Sequence, residues 1–83
     1  MAELNYEKFV SDLIRPIVMY PEEVRVKIFA EDNQVITLQV MVNEKDLGRV
    51  IGKKGRVANA IRTIAFACGA REGKKIEISI DSF

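Results

Sequence analysis

The sequence predicts an α+β fold of two layers, in which three helices cover one face of a three-stranded mixed sheet. Three segments alternate apolar with polar residues, as strands do, at 24–29, 35–42 and 76–81. Three others have apolar residues at helical spacing, at 6–14, 47–51 and 56–68. Two of the helices separate the last two strands, and a right-handed crossover of this kind leaves such strands parallel. The predicted order is therefore α-β-β-α-α-β.

The length and composition predict one domain over residues 1–83. The chain has 83 residues, of which 48% are hydrophobic and 30% charged, and two cores of half this size would bury little surface. Residues 1–23 are expected to form an N-terminal helix and its connection. Residues 24–83 are expected to form a ββααβ portion, with a glycine loop at 52–55.

Several classes of protein are excluded by composition. No apolar run approaches the ~18 residues of a membrane span, so membrane insertion is not expected. The first residues lack the layout of a signal peptide, and the lone Cys68 allows no internal disulfide, which suits the cytoplasm. Without histidine, the usual zinc sites and histidine-based catalytic groups are absent. We therefore expect no enzyme and no cofactor.

The first predicted helix has clear boundaries. Asn5 is its expected N-cap, and Pro16 should stop or kink it near Ile14–Arg15, because proline has no N–H to donate. Pro21 presets a turn before the first strand. The apolar face of this helix consists of Tyr6, Phe9, Val10, Leu13, Ile14 and Ile17.

The first two strands should form an antiparallel hairpin. Val24, Val26 and Ile28 alternate with Arg25, Lys27 and Phe29. A short polar stretch, 30–34, follows, and a second alternating run then covers 35–42. The face of the sheet away from the helices is expected to be mostly polar and to meet water.

The helical region after the hairpin has its own start and stop signals. Asn43 is expected to cap a short helix, with Asp46 reaching back in a capping box, and Gly69 to end the long helix in a left-handed conformation. The core stripe of the long helix is predicted to contain Val57, Ile61, Ile64, Ala65 and Cys68. Phe66 lies opposite this stripe, which indicates either a contact with another chain or a solitary exposed ring.

The charges are segregated along the chain. Residues 45–75 carry nine basic and two acidic side chains, whereas residues 1–44 carry four basic and eight acidic ones. Such a basic region favours an anionic partner, although a solvated basic face would look the same in the sequence.

The loop Gly52-Lys53-Lys54-Gly55 is the most specific feature of this region. Glycines allow unusual torsions and a close approach of the main chain to a ligand. The helix that starts at Arg56 directs its amides and the positive end of its dipole toward the loop. With the lysines and the nearby Arg49 and Arg56, this arrangement predicts a clamp for a phosphate backbone. A bare G-x-x-G also occurs at purely structural helix corners.

The context of the loop resembles a K-homology (KH) domain, in which a G-x-x-G loop clamps about four nucleotides of a single strand. The order of elements is similar to that of the type II form. The string from Asp46 to Arg62, DLGRVIGKKGRVANAIR, is similar to that of the small bacterial KhpA (YlqC-like) proteins, as are the opening helix and the PEEV entry at 21–24. The resemblance covers nearly the whole chain. It implies a cytoplasmic binder of single-stranded RNA, as a homodimer or as a heterodimer with a larger Jag-type (KhpB-like) KH protein.

The resemblance also assigns roles to individual residues. It places the phosphate clamp at Gly52, Lys53, Lys54 and Gly55, and the apolar floor of the nucleotide groove at Val50, Ile51, Ala58 and Ile61. The flanking cations are Arg49, Arg56 and Arg62. Many KH domains have a larger aliphatic residue at the position of Ala58, so tight reading of base sequence is not expected here.

Other functions remain open at this point. A protein–protein dimerisation module, with RNA binding secondary, would account for Phe66 and for the small core. Single-stranded DNA has the same backbone charges as RNA. An enzyme is the weakest alternative, since neither G-x-x-x-x-G-K-[ST] nor G-x-G-x-x-G occurs. No aromatic residue is close to the loop in sequence, so stacking of bases on rings is not expected to be the main source of RNA affinity.

Overall fold

Three helices and three strands follow one another in the predicted order in the computed structural model, which describes residues 5–83. The helices are α1 (Tyr6–Ile14), α2 (Leu47–Ile51) and α3 (Arg56–Ala70), and the strands are β1 (Arg25–Glu31), β2 (Val35–Val42) and β3 (Lys75–Ser82). Single 3₁₀ turns lie at Arg15–Ile17, Pro21–Glu23, Glu44–Asp46 and Lys53–Gly55. Within residues 5–83, none of the helices has the length and apolar content of a membrane span.

The sheet has the strand order β1-β2-β3, with β2 in the centre. β1 pairs with β2 antiparallel, and β2 pairs with β3 parallel, so the predicted hairpin and the predicted crossover are both confirmed. The β1–β2 ladder is interrupted after Ile28, which faces Leu38, because Ala30 faces Thr37. Phe29 is therefore the extra residue of a β-bulge, which bends the edge strand.

The core lies between the sheet and the helices. Every second residue of β2 is almost completely buried, whereas the residues between them are only half-buried. The buried cluster joins β2 with α1, α2 and α3 through Val10, Ile14, Ile36, Leu38, Val40, Val42, Val50, Ile61 and Ala65. All three helices thus cover the same face of the sheet, and the opposite face is open.

Helix α1 has the predicted boundaries. The side chain of Asn5 accepts a hydrogen bond from the backbone N–H of Lys8 at 3.0 Å, and the helix ends at Ile14. The following turn contains Pro16. Ile17, which we expected on the apolar face, lies in this turn and is exposed.

Helix α3 differs from the prediction at two positions. It continues through Gly69 to Ala70, and Gly73 instead has the positive φ, of 73°. A Cβ on Gly69 would lie 2.5 Å from Ile76 Cγ1 and 2.8 Å from the carbonyl oxygen of Lys74, so Gly69 permits close packing of α3 on β3. Ile64, predicted to lie in the core stripe, is 43% exposed.

Candidate nucleic-acid interface

The four residues from Gly52 to Gly55 form a tight corner between α2 and α3. Gly52, Lys54 and Gly55 have positive φ angles of 77°, 58° and 76°. The N–H of Gly52 donates to the carbonyl of Gly48 at 2.8 Å and closes α2, and that of Gly55 donates to the carbonyl of Gly52 at 3.1 Å. A Cβ on Gly52 would lie only 2.5 Å from Val57 Cγ2. Position 52 therefore requires glycine both for its torsions and for space.

The lysines of this loop extend into solvent. Lys53, Lys54 and the neighbouring Arg56 are all exposed, and within residues 5–83 none of the three forms an ion pair. They surround the N-terminus of α3, where the helix dipole adds positive potential. The loop thus combines uncompensated cations with a helix N-terminus, an arrangement that attracts an anion.

Fewer backbone amides are available for an anion than the sequence predicted. The N–H of Gly55 donates to the carbonyl of Gly52, and the N–H of Arg56 donates to that of Lys53. These two donors are used inside the corner itself. The side chains and the helix dipole must therefore supply more of the attraction.

Arg49 is a less independent cation than predicted. Its Nε lies 3.9 Å from Asp46 Oδ1, and its Nη2 lies 3.4 Å from the sulfur of Met19. The guanidinium is thereby directed toward the connection between α1 and β1. Its side chain is still more than half exposed and therefore accessible from solvent.

Asp46 has a role that the sequence did not reveal. The predicted capping box is wrong: Asn43 caps the turn alone, through a hydrogen bond from the backbone N–H of Lys45. Asp46 is fully buried, and its two carboxylate oxygens accept hydrogen bonds from the backbone N–H groups of Met19 and Tyr20, at 2.8 and 3.0 Å. This carboxylate fixes the start of α2, and hence the loop, to the N-terminal connection.

Arg62 bridges α3 and the outer edge of β3. Its Nε donates to the carbonyl oxygen of Ile78 at 3.3 Å, and its Nη1 lies 3.5 Å from Asn59 Oδ1. Asn59 and Arg62 both lie on α3, on the path from the loop along the helix. The guanidinium of Arg62 is therefore held in one place, with its remaining N–H groups at the surface.

The predicted apolar floor of the groove is mostly covered. Val50, predicted for this floor, is fully buried, and its side chain anchors α2 in the core. Ala58 and Ile61 are also buried and form the base beneath the surface. Ile51, at 37% exposure, is the member of the predicted floor that presents apolar surface.

A G-x-x-G corner between two helices, packed on a three-stranded mixed sheet that follows an N-terminal helix, defines a type II KH domain. The sequence model of the KhpA/KhpB KH domain family matches residues 7–80. The chain belongs to this family. It is a non-enzymatic family, and this chain is accordingly not an enzyme.

Curated relatives of similar length support the assignment. The chain is 40% identical over 80 residues to the RNA-binding protein KhpA of Bacillus subtilis, which covers 96% of this chain and 98% of that protein. It is 39% identical over 74 residues to the RNA-binding protein KhpA of Listeria monocytogenes, which covers 89% of this chain and 96% of that protein.

A solved structure has the same fold. The crystal structure of an Aquifex aeolicus Era variant bound to GDP and AlF4⁻ superposes with a TM-score of 0.66 at 21% sequence identity. The match covers 99% of this chain and 33% of that one. At this identity the likeness establishes the fold alone.

Proposed function

We propose that this protein binds single-stranded RNA in the cytoplasm, without catalysis, by clamping the phosphate backbone with the loop Gly52–Gly55. The observation that carries the proposal is the pair Lys53 and Lys54. Both side chains are exposed and, within residues 5–83, without an ion-pair partner, although two adjacent cations repel each other and a turn does not need them. About four nucleotides would lie along the loop and the first turns of α3.

The same surface supports weak discrimination between base sequences. Ile51 alone among the predicted floor residues offers substantial apolar area, and Ala58 is both small and buried. Arg56 and Arg62 flank the path as cations that can contact phosphates. Phosphate contacts position a strand without reading its sequence, so we expect affinity with little sequence preference.

RNA is favoured as the ligand by the relatives, whose names describe them as RNA-binding proteins. The family name joins KhpA with KhpB, and we propose that the chain acts as a homodimer or as a heterodimer with a Jag-type (KhpB-like) KH protein. The exposed side chains of Ile64 and Phe66 on α3 give such a partner an apolar contact.

The decisive experiment compares the wild type with the double variant Lys53→Asp, Lys54→Asp by fluorescence anisotropy. A short single-stranded RNA would be titrated at several salt concentrations. If about three to five cations engage phosphates, log K should fall against log salt with a slope of roughly −2 to −3.5. The double variant should bind at least about tenfold more weakly and with a shallower slope.

A charge-matched control separates the loop from general electrostatics. Arg71→Asp, Lys75→Asp makes the same change in net charge at exposed residues near the other end of α3. This control should retain most of the affinity, and circular dichroism should show both variants folded. Equal losses in the two variants, or a salt slope near zero, would refute the clamp. Parallel titration with DNA of the same sequence tests the choice of polymer.

The second candidate function is a dimerisation module in which RNA binding is secondary. Phe66 favours it, because this ring is 56% exposed on α3, away from the core. A wild type that self-associates but shows no salt-dependent RNA binding would support this alternative. The two functions can also coexist in one protein.

A further inference from the structure

The face of the sheet that the helices leave open is less polar than the sequence predicted. Two aromatic rings lie on it: Phe29, at the bulge of β1, is 75% exposed, and Phe83, just after β3, is 64% exposed. Met41, on β2, is half-buried between the two edge strands. An exposed ring with cations beside it provides a surface on which a base can stack.

One hollow on this face combines an aromatic ring with two cations. It has a volume of about 390 Å³ and is lined by Arg25, Lys27, Gln39, Met41 and Phe83. We call it the open-face hollow. Among residues 5–83, no aspartate or glutamate side chain lines it, and its volume lies within the range of about 300–1,000 Å³ that is usual for small-ligand sites.

The two cations of this hollow differ in how firmly their side chains are fixed. Nη1 of Arg25 donates to the carbonyl oxygens of Glu22 and Val24, at 2.8 and 2.9 Å, which fixes the guanidinium and leaves its other nitrogens for a ligand. Lys27 is exposed and, within residues 5–83, has no ion-pair partner. The nearest acidic residue in the register is Asp81, opposite Met41, and its Oδ1 accepts a hydrogen bond from the backbone N–H of Ser82 at 2.8 Å.

We propose that the open-face hollow is a second binding site for a nucleotide of single-stranded RNA, separate from the loop Gly52–Gly55. A phosphate would contact Arg25 and Lys27, and the base would stack on the ring of Phe83. The side-chain amide of Gln39 offers both a donor and an acceptor to the base edge. Cations interleaved with an aromatic ring are the combination with which proteins hold single strands without sequence preference.

The position of the hollow allows one RNA strand to reach both sites. Because α3 joins two parallel strands, it runs opposite to them, as the contact of Gly69 near its end with Ile76 at the start of β3 requires. Its N-terminus and the loop therefore lie at the end of the sheet where β3 stops. Phe83 is at this same end, where its N–H donates to the carbonyl of Val42. A strand that leaves the clamp has only to pass around this end of the sheet to enter the hollow.

This inference rests on the proposed RNA clamp, and its test uses RNA length to separate the two. An RNA of four nucleotides, about the length that the loop holds, is compared with one of about twelve nucleotides. The variant Lys27→Ala, Phe83→Ala removes one cation and the ring, both at exposed positions. It should bind the longer RNA about fivefold or more weakly than the wild type and the shorter RNA equally well.

The matched control is Lys75→Ala, Phe29→Ala, which removes the same two side-chain types from exposed positions outside the hollow. It should leave both affinities unchanged. As a second measurement, ultraviolet crosslinking of 4-thiouridine RNA followed by mass spectrometry should label peptides that contain Lys27 or Phe83 in addition to the loop.

The outcomes are distinguishable. If the hollow variant binds the longer RNA like the wild type while Lys53→Asp, Lys54→Asp does not, the hollow is not an RNA site and the clamp stands. Equal losses in the hollow variant and its control would overturn the assignment to this hollow. If the hollow variant sediments differently from the wild type but binds RNA with the same affinity, the open face is a protein–protein contact, and the proposal is overturned. If the wild type binds neither RNA, the proposed function fails and the second site with it.

Discussion

The buried carboxylate of Asp46 accepts a hydrogen bond from the backbone N–H of Met19, which lies 27 residues earlier in the chain. Its other oxygen accepts one from Tyr20. The connection after α1 has no regular structure at these two residues, so their amides would otherwise lack a strand or helix partner. Asp46 therefore joins the N-terminal segment to the helix that precedes the glycine loop.

Replacement of Asp46 by alanine should destabilise the protein. Two partly buried N–H groups would lose their acceptor, and each unsatisfied donor costs about 1–3 kcal/mol, which gives a loss of about 2–6 kcal/mol in the free energy of unfolding. Urea denaturation followed by circular dichroism measures this loss. The control Asp12→Ala removes an exposed carboxylate that pairs with Lys8, and should change stability by less than about 0.5 kcal/mol. Equal unfolding midpoints for the Asp46 variant and the wild type would contradict the assigned role.

Position 52 of the loop requires glycine. Gly52→Ala places a Cβ against Val57 and forces alanine into a φ/ψ region, 77° and 172°, that is essentially reserved for glycine. We expect a loss of about 2–5 kcal/mol, from backbone strain together with overpacking. Weaker RNA binding should accompany it where the protein still folds, because the corner that presents the lysines is distorted.

Gly48→Ala is the matched control for this substitution. Gly48 lies four residues earlier, inside α2, and a Cβ there would meet no atom within 4 Å. Alanine is the better helix former by about 1 kcal/mol, so this variant should be as stable as the wild type or more so. A wild-type unfolding curve for Gly52→Ala would contradict the steric argument.

The hairpin turn should respond to acid through Asp32. Its Oδ1 accepts hydrogen bonds from the backbone N–H groups of Gln34 and Val35, both at 2.7 Å, and these hold the pKa of Asp32 below its ordinary value of 3.8. A carboxyl whose pKa is lowered on folding stabilises the fold above its unfolded pKa, and this contribution is lost as the pH falls through the folded pKa.

The measurement compares the wild type with Asp32→Asn by urea denaturation at pH 6 and at pH 3. The charged carboxylate is the stronger acceptor, so the wild type should be the more stable protein at the higher pH, and the difference should shrink at the lower one. Because Asp32 is exposed, we expect a small effect. A difference that stays constant between the two pH values would show that ionisation of Asp32 contributes nothing to the turn.

Patterns within one segment predicted most of the fold. The alternation along β2 and β3 identified the buried face of each strand, and the Gly-Lys-Lys-Gly spacing located the corner. The roles of Asp46 and Gly69 could not be predicted, because their partners lie in other elements: the amides of Met19 and Tyr20 for one, and β3 for the other. Helical periodicity alone also placed Ile64 in the core, although this side chain is 43% exposed.

The candidate site also has features that the sequence predicted and features that depend on contacts between elements. Exposure of Lys53, Lys54 and Arg56 followed from their charge and their place in a corner, since burial of unpaired cations is unfavourable. The apolar residues were harder to assign, because Val50 and Ile51 are adjacent and of similar size while only Ile51 reaches the surface. Asp46 and Arg49 are i,i+3 neighbours, a spacing that allows their contact, but the burial of Asp46 depends on the amides of Met19 and Tyr20. The tethering of Arg62 depends on the carbonyl oxygen of Ile78, and no spacing rule connects these two residues.

Phe66 provides the last prediction, which concerns assembly. If its exposed ring contacts a second copy, Phe66→Asp should abolish self-association, because a carboxylate in an apolar contact loses its hydration without gaining a partner. Sedimentation velocity at several concentrations should then show a wild type that dimerises and a variant that stays monomeric with an unchanged circular dichroism spectrum. Phe29→Asp is the control. Phe29 is also exposed, but it lies on β1, on the face of the sheet opposite to the helices. An unchanged dimer for Phe66→Asp, or a loss of the dimer for Phe29→Asp, would exclude α3 as the contact surface.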